Sequence, residues 1–166
     1  KRPDSIEAKR DLSVSLEKIA NIYLQKGETT KALENYQEGL KLRESILEKR
    51  PDSIEAKRDL SVSLEKIADI YLQKGETAKA LENYQEGLKL RESILEKRPD
   101  SIEAKRDLAI SFYKIGNSYQ ELNKNKEALE YFTNAKSIAK TNIQYSDFKN
   151  IYEVFEETIE NLLGEE

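Results

Sequence analysis

The chain has 166 residues, 36% of them charged and 37% apolar, with six glycines, three prolines and no Cys, His, Met or Trp. That mix favours long solvated helices over sheet, excludes disulfides and leaves no apolar run near the ~20 residues that cross a bilayer. The net charge of −4 gathers at the end, where Asp147, Glu153, Glu156, Glu157, Glu160, Glu165 and Glu166 stand against Lys149; this acidic tail argues against nucleic acid and anionic membranes as partners and also reads as a solvated end-cap.

Three copies of one unit fill residues 1–144. The run Lys1-Arg2-Pro3-Asp4-Ser5-Ile6-Glu7-Ala8-Lys9-Arg10-Asp11-Leu12 returns unchanged at Lys49 and at Lys97, a period of 48. Residues 1–48 and 49–96 differ only where Asn21 becomes Asp69 and Thr30 becomes Ala78, while residues 97–144 diverge after the first twelve positions. A period of this length marks a stack of supersecondary units that cannot bury their apolar faces alone.

The first helix of a copy is predicted to start after Pro3, with Asp4 as N-cap and Glu7 three residues on, and to run to about Lys26. Gly27 then stands where a left-handed cap residue is wanted. On this helix Ala8, Leu12, Leu16, Ile19 and Tyr23 form one apolar stripe, flanked by Ile6, Ala20 and Leu24 on one side and Ile22 on the other. Arg10, Val14, Glu17, Asn21 and Gln25 lie opposite. The second helix is predicted from about Thr29 to Lys49, stopped by Pro51, with Ala32, Leu33, Tyr36, Gly39, Leu40, Arg43, Ile46 and Leu47 on a single broad face. Links of two to four residues make the helices antiparallel neighbours.

The third copy carries substitutions that suit the end of an array. Phe112 replaces Leu16, Gly116 replaces Ala20, Asn123 replaces Gly27 and Ala135 replaces Gly39. Its second helix is expected over about Lys126–Thr141. A last helix follows residues 142–146, with Phe148, Ile151, Tyr152, Phe155, Ile159 and Leu162 at helical spacing and Glu153, Glu156, Glu157 and Glu160 facing away, as a cap with a polar outer side. The domains are therefore three repeats (1–48, 49–96, 97–144) and an acidic capping helix and tail (145–166). Lys1-Arg2 repeats Lys49-Arg50, which reads as the tail of a preceding second helix, so the first repeat is expected to be unsealed and the chain to be cut from, or built as, a longer array.

Leu16, Ile19, Ala20, Tyr23, Gly27, Ala32, Tyr36, Gly39 and Leu40 resemble the tetratricopeptide repeat signature of alternating bulky, small and aromatic positions, and Phe112, Ile115, Gly116, Tyr119, Ala128, Phe132 and Ala135 resemble it more closely. The family's usual period is about 34 residues. The 14 additional residues amount to two further turns per helix, which return each apolar stripe to within about 20° of its direction. The resemblance implies an all-α fold, a right-handed α-solenoid of three antiparallel hairpins whose first helices line an inner groove that binds peptides or partner proteins.

The groove residues implied are Arg10, Glu17 and Asn21, then Arg58, Glu65 and Asp69, then Arg106, Tyr113 and Asn117. One family mode clamps a C-terminal carboxylate with Lys and Asn. Asn21 matches the Asn, but Glu17 stands in the Lys position and Asp69 replaces Asn in the second copy, so chaperone-tail binding is not expected. A mixed ligand fits better, with basic or polar groups against Glu17, Glu65 and Asp69 and an acidic group at the Arg10, Arg58 and Arg106 row. The bland reading, that the same rows are solvated or paired between repeats, weighs more than the ligand.

Enzyme chemistry is not expected, because there is no His, no phosphate-binding loop and no shaped cation loop, and neither a cofactor nor a metal is implied. The expected role is a protein-binding scaffold, with a cytoplasmic location. The alternative is a structural array, natural or engineered, that self-associates through the unsealed stripe of the first repeat.

Overall fold

A computed structural model of the chain describes residues 5–164, which form seven helices. These are α1 (Ile6–Gln25), α2 (Thr29–Lys49), α3 (Ile54–Gln73), α4 (Thr77–Lys97), α5 (Ile102–Glu121), α6 (Asn125–Thr141) and α7 (Ser146–Gly164). Each helix packs against the next in chain order, so the hairpins α1–α2, α3–α4 and α5–α6 stack side by side and α7 closes the end. The all-α repeat architecture is the expected one. Ion pairs also join each odd-numbered helix to the next odd one, Arg10 to Glu55, Arg58 to Glu103 and Arg106 to Asp147, so the odd helices form one layer.

Local chemistry sets the ends. The expected cap at Asp4 lies outside the described residues, and its copies show that the cap falls one residue later. Ser53 and Ser101 accept hydrogen bonds from the Ala56 and Ala104 amides at 3.1 and 3.2 Å, as Ser5 does from Ala8 at 3.1 Å. A hydroxyl is as good a cap as a carboxylate, and Asp52 is instead turned outward to Lys97 at 2.5 Å. At the other end Gly27 and Gly75 have φ of +74° and +72°, and Asn123 has +57°. The Glu28 amide reaches back to the Tyr23 carbonyl and the Gly27 amide to Leu24, which satisfies carbonyls that the helix end would otherwise orphan.

Small residues set the spacing within a hairpin. A Cβ added at Gly39 would sit 3.5 Å from the Ser13 carbonyl, and Ser13 itself is buried with its hydroxyl donated to the Arg10 carbonyl. The third hairpin solves the same problem differently. Gly116 lies under the Phe132 ring, where an added Cβ would be 2.5 Å from a ring carbon. The Phe132 ring thus sits where only glycine leaves room, at the position that the other copies fill with Ala20 and Ala68, both fully buried beside Tyr36 and Tyr84.

The core runs continuously through the stack. Leu33, Tyr36, Ile67 and Ile70 join the first two hairpins, and Tyr84, Leu88, Leu108 and Ile115 join the second to the third. The cap follows, with Phe148 and Phe155 of α7 against Ala109, Ala135 and Ala139. Phe148, Phe155 and Leu162 are buried, while Glu153, Glu157 and Glu160 face outward as expected of an end-cap. No helix among the described residues is long and apolar enough to cross a membrane.

Candidate functional site

The odd-helix layer carries the residues that the sequence marks as a groove. The structure places Arg10, Glu17 and Asn21 on α1, Arg58, Glu65 and Asp69 on α3, and Arg106, Tyr113 and Asn117 on α5, in matching register. They fall into two groups.

The arginine row is open. The side chains of Arg10, Arg58 and Arg106 are 49%, 50% and 38% exposed. Each pairs with a carboxylate of the next odd helix that is more than half exposed, Glu55, Glu103 and Asp147, and Arg10 also lies 3.7 Å from the less exposed Asp59. Such pairs are screened and add about 0–1 kcal/mol each, so a competing anion displaces them at low cost. Between the second and third copies, Arg58 and Glu103 border a pocket of about 40 Å³ together with Arg98 and Ser101.

The acids of the row are instead engaged inside the fold. Glu17 accepts from Arg43 Nη2 at 2.5 Å, and the other side of that guanidinium donates to the Asp59 carbonyl at 3.0 Å and to Ser63 Oγ at 2.5 Å. One arginine of α2 therefore ties α1 to α3. The next repeat does the same, with Arg91 joining Glu65 to the Asp107 carbonyl and Ser111. These guanidinium side chains are only 8% and 10% exposed. A planar fork that uses both edges suits such a buried three-helix contact better than an ammonium would.

Glu65 has a second cation. Lys114 of α5 lies 2.8 Å from Glu65 and 2.8 Å from Asp69. Burial pushes the Glu65 carboxyl up, but Arg91 and Lys114 outweigh it and hold the group below the usual glutamate value. Asp59 and Asp107 go the other way, raised by burial against the partial offset of the arginines beside them. Tyr84 donates to Asp69, and burial first and that carboxylate second push its hydroxyl well above the ordinary tyrosine range. In the first copy Tyr36 donates to Asn21 Oδ1 at 2.5 Å.

Tyr113 is not presented as an open groove side chain. Its ring stacks on Phe155 at 4.8 Å and packs on Phe132 at 5.4 Å, and its hydroxyl meets Thr158 of α7 at 3.3 Å. The capping helix occupies that part of the face. Asn117 is half-buried on α5.

Sequence reasoning placed Arg43 on the apolar face of the second helix without giving it a partner. The signal was present in the repeats. Glu17 and Arg43 recur as Glu65 and Arg91, and in the third copy both change together, to Tyr113 and Ala139. Two charges lost at once from positions 26 apart mark a pair. No group of His, Cys, Asp or Glu suited to holding a metal ion occurs among the described residues.

Comparison with known proteins agrees with the fold. No curated protein sequence matches the chain. Among solved structures it is similar to the N-terminal domain of stress-induced protein-1 from C. elegans, at 14% identity and a TM-score of 0.58 over 90% of this chain and 98% of that one. It is also similar to the apo form of RapI, at 17% identity and a TM-score of 0.66, covering 92% of this chain but about half (51%) of RapI. The first repeat domain of Spaghetti (RPAP3), solved bound to the HSP90 peptide SRMEEVD, aligns at 13% identity and a TM-score of 0.50, over 90% of this chain and 94% of that one. The tetratricopeptide repeat model matches twice in overlapping register, over residues 11–93 and 59–141. With most of its length covered by these two matches, the chain belongs to the tetratricopeptide repeat family.

Proposed function

We propose that the chain is a protein-interaction scaffold whose odd-helix face takes an extended peptide segment carrying an acidic residue. The observation that carries this reading is the row of Arg10, Arg58 and Arg106, one per repeat, each open to solvent and paired with an exposed carboxylate of the next odd helix, with Asp59 also near Arg10. The ligand's acid replaces Glu103 or Glu55 on the guanidinium, and a bidentate arginine–carboxylate contact gives both energy and orientation. Glu17, Glu65 and Asp69 hold their neighbours' cations and tyrosine hydroxyls, which leaves them less able to recruit a basic ligand group than their sequence alone suggests. Asn21 and Asn117 stand about 16 Å further along the same helices, as polar contacts for a longer segment.

The family's carboxylate clamp is not the mode proposed. The Spaghetti domain holds SRMEEVD, but here Glu17 occupies the clamp's lysine position and Asn21 already accepts from Tyr36. The test is a display selection of random 12-residue peptides against the intact chain. Selected peptides are expected to carry at least one Asp or Glu, to bind equally well with the C-terminus amidated, and to lose at least tenfold in affinity to Arg58→Ala and Arg106→Ala variants. Peptides indifferent to both substitutions, or a selection that enriches none, overturn the reading.

A further inference from the structure

The first helix of the stack has a bare face whose occupant is specified elsewhere in the same molecule. α1 and α3 have the same sequence except at Asn21/Asp69. On α3, Leu60, Ile67 and Ile70 are 4%, 2% and 1% exposed, with Leu33 and Leu40 of α2 packed against the Ile67–Ile70 cluster. On α1 the same residues, Leu12, Ile19 and Ile22, are 48%, 43% and 50% exposed. The polar anchor is duplicated too. Arg43 of α2 seats on the Asp59 carbonyl and Ser63 Oγ of α3, while on α1 the matching Ser15 hydroxyl folds onto the Asp11 carbonyl at 2.9 Å.

The two internal interfaces define what fits. From α2, Leu33, Gln37, Leu40 and Arg43 face α3, with Gln37 donating to the Tyr71 hydroxyl at 3.1 Å. From α4 the copies Leu81, Gln85, Leu88 and Arg91 face α5, and Gln85 donates to Tyr119 at 3.2 Å. Steps of four, three and three put all four on one helical stripe. The α6 copies of these residues are Leu129, Thr133, Lys136 and Ala139, and that helix receives α7 rather than another first helix.

We infer that the exposed face of α1 is a docking surface for one further second helix of this repeat, bearing Leu, Gln, Leu and Arg at the spacing of Leu33, Gln37, Leu40 and Arg43. The incoming arginine takes the Ser15 hydroxyl and the Asp11 carbonyl, and the leucines cover Leu12, Ile19 and Ile22. This surface is separate from the arginine row.

Titration of isotope-labelled chain with a synthetic peptide of the sequence of residues 29–49 tests it. Saturable amide shifts are expected at Leu12, Ser15, Ile19 and Ile22, with about tenfold weaker binding for the Arg43→Ala peptide and none to Ile19→Asp protein. Binding by Arg58→Ala and Arg106→Ala protein is expected to be unchanged, which separates this site from the proposed groove. Shifts confined to α3 or α5, or self-association of the chain through Ile19 in the absence of peptide, overturn the inference. Because a free 21-residue helix is marginal in water, a second arm joins one more copy of residues 1–48 ahead of Lys1. There α1 amide exchange is expected to slow at least tenfold, and Ile19→Asp to become strongly destabilising. Unchanged α1 exchange in that longer chain overturns the inference whatever the peptide does.

Discussion

Helices α1 and α3 share nineteen of twenty residues and live in different environments. α3 lies between two hairpins and buries eight side chains; α1 has a hairpin on one side only and buries three, Ser13, Leu16 and Ala20. Intrinsic propensity and amphipathic pattern are the same in both, so the difference isolates what tertiary packing adds. In a repeat array that is the nearest-neighbour interface, and the molecule offers it as an internal control in which sequence is constant and only position changes.

Substitution at matched positions breaks the comparison most sharply. Ile67→Ala is expected to cost about 2–5 kcal/mol, the usual range for emptying a packed site. Ile19→Ala, at the same repeat position, should cost about 1 kcal/mol or less, because a half-exposed side chain removes little area from water. Urea unfolding of the two variants in parallel reads the difference directly. Equal losses would mean that α1 is covered in solution, by a second copy or by another segment.

The pattern that made these helices legible could not say which copy stood at the edge of the described stack. The stripe of Ala8, Leu12, Leu16 and Ile19 announces a buried helix, and in α3 and α5 the corresponding residues are mostly buried. Its exposure in α1 is a property of position in the stack. The ends of the helices were readable to within a residue because Gly27, Gly75 and Asn123 mark left-handed backbone and Pro51 stops α2. The cap was misplaced because Asp and Ser are adjacent and both are good cap residues; only the backbone geometry decides between them. The site was harder. Periodicity puts Glu17 on the face opposite the stripe, but whether it meets ligand, water or Arg43 depends on how two hairpins cross. That geometry has no local signature beyond the paired loss at Tyr113 and Ala139.

A smaller effect separates the two copies of the acid. Glu65 meets Arg91 and Lys114, whereas Glu17 meets Arg43 alone among the pairs described. Glu65→Gln is expected to cost about 1.5–3 kcal/mol at neutral pH, as for hydrogen bonds to charged groups, and Glu17→Gln less. The pH dependence follows from the direction of the shift. The folded-state pKa of Glu65 lies below its unfolded value, so its stabilisation is full above that unfolded value, near pH 4.5, and is lost as the pH falls through the folded value. The gap between wild type and Glu65→Gln should therefore close in acid. Asp59 and Asp107, raised by burial, contribute the opposite slope in both proteins and cancel from the difference.

The smallest effect lies at the one position where the two helices differ. Asp69→Asn makes α3 identical to α1. It removes the Lys114 contact at 2.8 Å but leaves that lysine on Glu65, and the side chain is 35% exposed. Tyr84 keeps an acceptor, as Tyr36 does at Asn21. The expected cost is about 0.5 kcal/mol in low salt and smaller at 1 M, because a pair this open to solvent is weakened by salt. The reverse change, Asn21→Asp, puts a carboxylate in the place matching Asp69, and Lys66, the copy of Lys114, is exposed on α3 to meet it. That variant should gain about what the other loses, so a chain carrying both should melt with wild type at every salt concentration. If the double variant instead keeps the loss of Asp69→Asn, the covering of α3 that α1 lacks has strengthened the buried contact, and position in the stack governs charge pairs as it governs the apolar stripe.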